Sequence, residues 1–285
     1  MTGPVDALSS YGLWTVGGTI ALLAVFLLLR GRIRIEKGWA GFSIARFNGL
    51  ERFVHWLLAL SFIVLAVTGL TLPYGRSLLE PLLGDRGSAE ILRLSRTLHG
   101  VVAFVFMASL ILAFLVWVRH SLPHWRDAVW LLKGGGMIVR GSHPPAWRFN
   151  AGQKLLFWIV VIGGAVLSVS GIAMLFPAQA GLFARMVGLL NLLGAQLPAG
   201  LTPQQEVQYA SLWHGVVALV LICAVIIHVF VRTIGIQGAF AAMASGAVDA
   251  NWARQHHRLW AEGELKKMDL EPPPETSGAR MAPAE

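Results

Sequence analysis

The chain has 285 residues, 55% of them hydrophobic and 13% charged, with a mean hydropathy of +0.63; soluble domains carry about 45–50% apolar and about 25% charged residues, so a free-standing soluble enzyme is excluded and the apolar excess has to face lipid. The formal charge of +8 raises nucleic acid as a partner, but the placement of the basic residues described below accounts for it with membrane lipid and no nucleic acid. A single cysteine, Cys223, excludes an intrachain disulfide and any Cys-ligated metal cluster, which leaves nine histidines for metal binding.

Five stretches contain no Asp, Glu, Lys or Arg: 7–29, 53–75, 97–118, 155–176 and 207–231. About 20 apolar helical residues cross a bilayer, and helix is the conformation that satisfies every backbone group there. The first stretch is predicted to be a retained helix and not a signal peptide, since Asp6 precedes it and Arg30, Arg32 and Arg34 follow at once. Lys and Arg number 18 in the segments after the first, third and fifth stretches and 5 in the others. The positive-inside rule then puts the N-terminus in the periplasm and the C-terminus in the cytoplasm of a bacterial inner membrane. Residues 186–205 are charge-free but interrupted by Asn191, Pro198, Gly200 and Pro203, which predicts a short surface helix and no sixth span. The expected fold class is an all-α integral membrane bundle. Its divisions are an N-terminal transmembrane helix (1–30), a cytoplasmic basic loop (31–52), a four-helix domain (53–231), a cytoplasmic C-terminal segment (232–270) and a disordered tail (271–285). The loop 30–47 reads as a basic hairpin, Gly134–Gly136 and Pro144–Pro145 as turn structure, and no internal repeat stands out along the chain.

Four histidines lie inside the apolar stretches: His55, His99, His214 and His228. Ionisable residues in spans are costly and mark function. The topology sorts them by depth into an outer pair, His99 with His214, and an inner pair, His55 with His228. His214 and His228 are 14 residues apart, nearly four turns, so one helix presents both from the same face at levels about 21 Å apart. Facing imidazoles are a common axial clamp for haem iron. Single interhelical hydrogen bonds explain one such histidine, but not four at matched depths. Gly69, Gly100 and Gly215 beside these residues read as packing positions, with room for a macrocycle as the alternative at Gly69. Met107 and Met174 read as core, with axial ligation as the alternative, Arg52 and Arg96 as lipid-headgroup anchors or propionate partners, and His120, His124, His143, His256 and His257 as exposed or interfacial.

The residues then become familiar. Arg46-Phe-Asn with Glu51-Arg-Phe-Val-His55-Trp, Leu98-His99-Gly100, His143-Pro-Pro-Ala-Trp-Arg-Phe-Asn-Ala-Gly-Gln-Lys154, Trp213-His214-Gly215, Ile227-His228 and Trp252-Ala-Arg-Gln-His-His-Arg-Leu-Trp260 resemble the gamma subunit of membrane-bound formate dehydrogenase, a di-haem cytochrome b. The resemblance covers roughly residues 45–260 and implies a four-helix cytochrome holding two haem b groups, the outer at His99 and His214 and the inner at His55 and His228. It further implies an iron–sulfur beta subunit, a molybdenum-containing catalytic alpha subunit in which formate is oxidised, and quinone reduction at the cytoplasmic face. Asn150, Gly152 and Gln153 fall in the family's quinone stretch. Their amides suit a quinone carbonyl, and Asn150 equally suits an N-cap for the following span. The N-terminal helix departs from the family's four-helix pattern. Alternatives are a di-haem cytochrome b serving another dehydrogenase or a hydrogenase, a haem-free histidine-dependent proton channel or transporter, and a plain anchor for a peripheral enzyme.

Overall fold

A computed structural model of the chain describes residues 4–139, 141–177, 181–198 and 200–268; the tail read as disordered, 271–285, lies outside them. Helix α1 (Pro4–Arg30) is followed by strand β1 (Ser43–Ala45), then α2 (Gly49–Trp117), α3 (Trp125–Leu132), α4 (Ala151–Leu175), α5 (Leu182–Leu192) and α6 (Pro203–Phe230). Helix α7 (Ala241–Ala244), strand β2 (Ala247–Asp249), α8 (Ala250–His256) and α9 (Arg258–Lys267) complete the order. Four helical segments are long and apolar enough to cross a membrane, Tyr11–Arg30, Gly49–His120, Ala151–Leu175 and Pro203–Gly235. The chain is an integral membrane protein with an all-helical bundle. Leu22, Leu28, Leu60, Val67 and Ile111 stay exposed on its sides, where lipid covers them.

Helix α2 contains two crossings. The sequence reading ends one span at 75 and starts the next at 97, whereas helix runs through the connection for 69 residues in all. Ion pairs one turn apart, Arg76 with Glu80 and Arg93 with Glu90, support it where the apolar stretch has ended. Only Gly84, at φ 68° and ψ 177°, leaves helical geometry, a region open essentially to glycine alone. There the chain reverses. Leu92 returns to Gly75, His99 to Thr68, Phe106 to Phe62 and Trp117 to Glu51, contacts that straddle residue 84 almost evenly and make the two legs an antiparallel hairpin.

The predicted short helix after the fourth span is present as α5, Leu182–Leu192, eleven residues and too short to cross. Helix α1 packs along α6, Phe26 edge-on against Phe230 at one end and Gly12 against Leu219 at the other. At the end of the bundle holding Phe230, Glu51 and Trp117, the loop after α1 folds back. The basic stretch read as a hairpin of its own instead pairs with the C-terminal segment. Ile33 bridges Ile236, and β1 pairs antiparallel with β2 in the register Ser43–Asp249, Ile44–Val248, Ala45–Ala247. Ile33, Ile44, Phe47, Trp117, Val248 and Trp252 share one core there. Two segments about 200 residues apart thus close one end of the bundle.

The structure also reveals an internal repeat that the sequence reading missed. Arg46-Phe-Asn and Arg148-Phe-Asn lie 102 residues apart. Asn48 caps α2, its side chain accepting from Glu51 N–H while Glu51 accepts from Asn48 N–H; Asn150 caps α4 in the same reciprocal way with Gln153. Arg46 donates to the Arg148 carbonyl at 2.6 Å and Arg148 to the Arg46 carbonyl at 2.7 Å. Such reciprocity is the mark of pseudo-twofold symmetry. The repeat is hard to see in sequence because about half of its length is Val, Leu, Ile and Gly, whose recurrence is ordinary in any span.

Candidate functional site

Helix α6 carries His214 and His228, and each meets a histidine from α2. The His99 and His214 rings have centroids 6.2 Å apart, and the His55 and His228 rings 6.3 Å. Among the described residues no three metal-ligating side chains converge; these histidines meet in twos. An imidazole nitrogen bonds a first-row metal at about 2 Å, and the ring centroid lies about 1.1 Å behind it, so two rings facing across one iron have centroids about 6.2 Å apart. Both pairs therefore have the spacing of axial ligands to one iron each.

The hydrogen bonds behind the His99 and His214 rings fix which nitrogen faces inward. The Thr68 hydroxyl donates to the Val64 carbonyl at 2.7 Å, so its lone pair is left to accept from His99 Nδ1–H at 2.9 Å. Ser170 repeats this, donating to the Val166 carbonyl at 2.7 Å and accepting from His214 Nδ1–H at 3.0 Å. The proton resides on Nδ1 and the Nε2 lone pair is free for a metal. Gly69 and Gly171 follow these hydroxyl residues. A Cβ on Gly69 would lie 3.1 Å from His99 Cε1, and one on Gly171 3.5 Å from His214 Cε1. The missing side chain at Gly69 thus admits an imidazole, in keeping with its reading as a packing position and not with the alternative of room for a macrocycle. At Gly100, read as a packing position, a Cβ would meet nothing within 4 Å. This open space lies next to His99 and leaves room for a bound group.

Thr68 and Ser170 went unremarked in the sequence, yet they are 102 residues apart, as are Arg46 and Arg148. Each begins a Thr-Gly or Ser-Gly pair, and both His99 and His214 begin His-Gly-Val-Val-Ala. The offset was the signal that would have found them.

Asn150, Gly152 and Gln153 line a cavity of about 360 Å³ together with His228, Arg232 and His256. The N-cap reading of Asn150 holds, with Asn150 Oδ1 accepting from Gln153 N–H at 3.0 Å and Gln153 Oε1 from Asn150 N–H at 3.2 Å. Gly152 packs beside Trp130, where a Cβ would stand 3.3 Å from the ring. Two histidines read as exposed or interfacial lie inside this end. His257 is 1% exposed, donating from Nδ1 to the Trp147 carbonyl at 2.8 Å and accepting at Nε2 from Arg46 at 3.1 Å. His256 packs against the rings of Trp252 and His143. Burial, then the neighbouring His143, Arg232 and Arg46, pushes the His256 pKa down to about 3, and burial with Arg46 holds His257 well below the usual imidazole range. Both are neutral at physiological pH. Their burial follows from β2 anchoring α8 against β1, a long-range pairing that local pattern does not announce.

Arg46, Arg148 and Arg52 hold this end of the fold together. Arg46, 3% exposed, is stacked on Trp260 at 4.7 Å and on Phe47 and Trp252, and burial beside Arg232 and Arg148 lowers its pKa. Arg148 donates to both oxygens of buried Glu51 at 2.8 and 2.9 Å. Arg52, read as a headgroup or propionate partner, donates instead to the carbonyls of Met243 and Ala244. Arg96 lies exposed, and Met174 packs on Ala173, Val187 and Ala210, as core methionine does.

The prokaryotic cytochrome b561 family model matches residues 46–246, which include both histidine pairs and both halves of the repeat. The chain belongs to the prokaryotic cytochrome b561 family. Membership of this cytochrome family implies haem b, and the paired imidazoles at axial spacing, with Nε2 freed on one pair and open space at Gly100, fit it. The chain is similar to the nitrate-inducible formate dehydrogenase cytochrome b556 subunit of Escherichia coli, at 27% identity over 79% of this chain and 93% of the relative. It is also similar to a second formate dehydrogenase cytochrome b556 subunit of Escherichia coli, at 28% over 76% and 92%. A third relative is the formate dehydrogenase cytochrome b556 subunit of Haemophilus influenzae, at 27% over 82% and 90%. Helix α1 lies outside the family match, which begins at Arg46.

Proposed function

We propose that this b561-family chain is the membrane cytochrome b subunit of a formate dehydrogenase, relaying electrons from a partner subunit to quinone. The observation that carries it is the stacking of two facing imidazole pairs, 6.2 and 6.3 Å between centroids, 14 residues apart along one helix. The names of relatives that are matched over nine-tenths of their length supply the dehydrogenase. Two haem b groups would supply one-electron carriers at two depths, one at His99 and His214 and the other at His55 and His228.

The residues of the chain do the rest. The Thr68 and Ser170 hydroxyls keep two imidazoles in the tautomer that presents Nε2. The cavity beside His228 receives the quinone ring. Asn150 and Gln153 use their carbonyl oxygens as helix caps, which leaves the NH₂ groups of the same amides as donors to a quinone carbonyl, and Gly152 keeps the wall low between them. The bias of 18 basic residues to 5 supports a reading with this cavity on the cytoplasmic side of a bacterial inner membrane and the N-terminus in the periplasm. Electrons then enter near His99 and His214 from an iron–sulfur subunit, behind which a molybdenum-containing subunit oxidises formate, and the protons of quinone reduction come from the cytoplasm. Moving each electron inward against 100 mV costs about 2.3 kcal/mol, which the formate couple supplies to respiratory electron transport.

The test is the reduced-minus-oxidised absorption spectrum of the purified membrane protein with haem quantified per chain, for the wild type, His99→Ala and His55→Ala. Two haems in the wild type and one in each variant are expected. A folded wild type without haem overturns the reading in favour of a histidine-dependent transporter or an anchor. Co-purification with a molybdenum-containing partner separates formate dehydrogenase from a hydrogenase or another donor.

A further inference from the structure

The two imidazole pairs differ in what stands behind the rings. At His99 and His214 a hydroxyl accepts from Nδ1–H of each ring, and each hydroxyl is itself pinned by donating to a carbonyl one turn back on its own helix. Ser170 is fully buried and Thr68 nearly so, which shields both bonds from competition by water. At the other pair, buried His55 Nδ1 has no hydrogen-bond partner among the described residues. Arg232, one turn beyond His228, lines the cavity that His228 lines. The repeat explains the contrast. It maps Thr68 onto Ser170 and His99 onto His214, but the position matching His55 in the second half is Phe157. One site is built twice over with its supports, and the other is assembled from residues without a counterpart.

We infer that Thr68 and Ser170 are positioning residues that hold the reduction potential of the haem at His99 and His214 below that of the haem at His55 and His228. This rests on the haem reading above. A hydrogen bond accepted from Nδ1–H shifts electron density onto Nε2 and makes it the stronger donor, which favours ferric over ferrous iron. The unsupported His55 donates less, and the nearby guanidinium of Arg232 favours the iron state carrying the extra electron. Both differences have the same sign. No proton changes owner: the Nδ1 proton stays on nitrogen, one electron is taken up at the first pair from the iron–sulfur donor, and one electron leaves to the second. The bonds therefore give the relay its direction, from the twice-built site toward the cavity.

The test is an optical redox titration of the full-length, haem-loaded membrane protein, with the two one-electron steps assigned by His55→Ala, which leaves only the step of the other pair. In Thr68→Val/Ser170→Ala the lower step is expected to move to higher potential by a threefold to tenfold change in the reduction equilibrium, 59 mV being tenfold for one electron. The upper step stays in place. Thr68→Ser, which keeps the acceptor, is expected to titrate as wild type. If the double variant loses haem, Thr68→Val and Ser170→Ala are titrated singly, each showing a smaller shift of the same sign. A lower step that stays put or moves down, or a shift confined to the upper step, overturns the inference while leaving the two-haem reading intact. A wild type without haem overturns both.

Discussion

At the scale of single residues, the histidine sites are governed by tenths of an ångström around the rings. Gly69 and Gly171 occupy matching positions in the two halves, but an added Cβ would stand 3.1 Å from the His99 ring in one case and 3.5 Å from the His214 ring in the other. The first is overpacked and the second is ordinary contact. Gly69→Ala is therefore expected to lower haem occupancy of the His99 and His214 site severalfold, and Gly171→Ala to leave it near wild type, as measured by haem per chain. Equal losses in both would contradict this geometry. Partly buried His256 and buried His257 make a second prediction. Above about pH 6.5 they are neutral whether folded or unfolded. Below that, the unfolded chain binds protons that the folded one refuses until pH approaches 3, where His256 titrates in place. Stability contributed by the neutral ring is thus full above pH 6.5 and declines on acidification, by at most about 1.4 kcal/mol per pH unit for each histidine. The melting temperature in detergent should fall between pH 7 and pH 5, and His256→Gln should flatten that fall.

At the scale of elements, the hairpin of α2 depends on one residue. Ion pairs support helix on both sides of the connection, and although Pro81 stands inside it, only Gly84 leaves helical geometry between 76 and 96, so the reversal falls on Gly84. Any side chain there strains the backbone, and Gly84→Ala is expected to cost about 1–3 kcal/mol. Scanning calorimetry of the purified protein should register that loss, while an equivalent change at Gly18, within helix α1 and with open space around its Cα, should cost less. The other ends of the legs are tied by Glu51, which accepts from Asn48 N–H, receives Trp117 Nε1–H and accepts two hydrogen bonds from Arg148. That one carboxylate joins the start of the hairpin, its finish and the second half of the repeat. Breaking such a buried pair by removing one partner costs about 3–5 kcal/mol, more than any single cap.

At the scale of the whole molecule, the five crossings set up two ends of different chemistry. Gly84 and the start of α1 lie at one end; β1, β2, α8 and α9, with His256 and the 360 Å³ cavity, lie at the other. Cysteine labelling of intact cells and inverted vesicles, with Cys223 replaced by Ala, is expected to reach a cysteine placed at Arg86 only from the periplasmic side and one placed at Lys266 only from the cytoplasmic side. The reverse pattern would turn the proposed direction of charge movement around.

Much of this was legible in the sequence. Charge-free stretches, the basic-residue bias and four histidines at two depths follow from the cost of leaving charge and unpaired backbone in hydrocarbon, which acts residue by residue and leaves a local record. The N-cap of Asn150 was legible for the same reason, since a cap is satisfied within three residues. Tertiary structure decided what depends on residues far apart in the chain: that the legs on either side of Gly84 pack as a hairpin, that 43–45 is the strand partner of 247–249, that His257 is buried and His256 partly buried at that pairing, and that Thr68 and Ser170 stand behind the rings of His99 and His214. A hydroxyl in a span reads the same in sequence whether it bonds only its own helix or also orients a ligand on the next, because that difference lies in which helix is its neighbour.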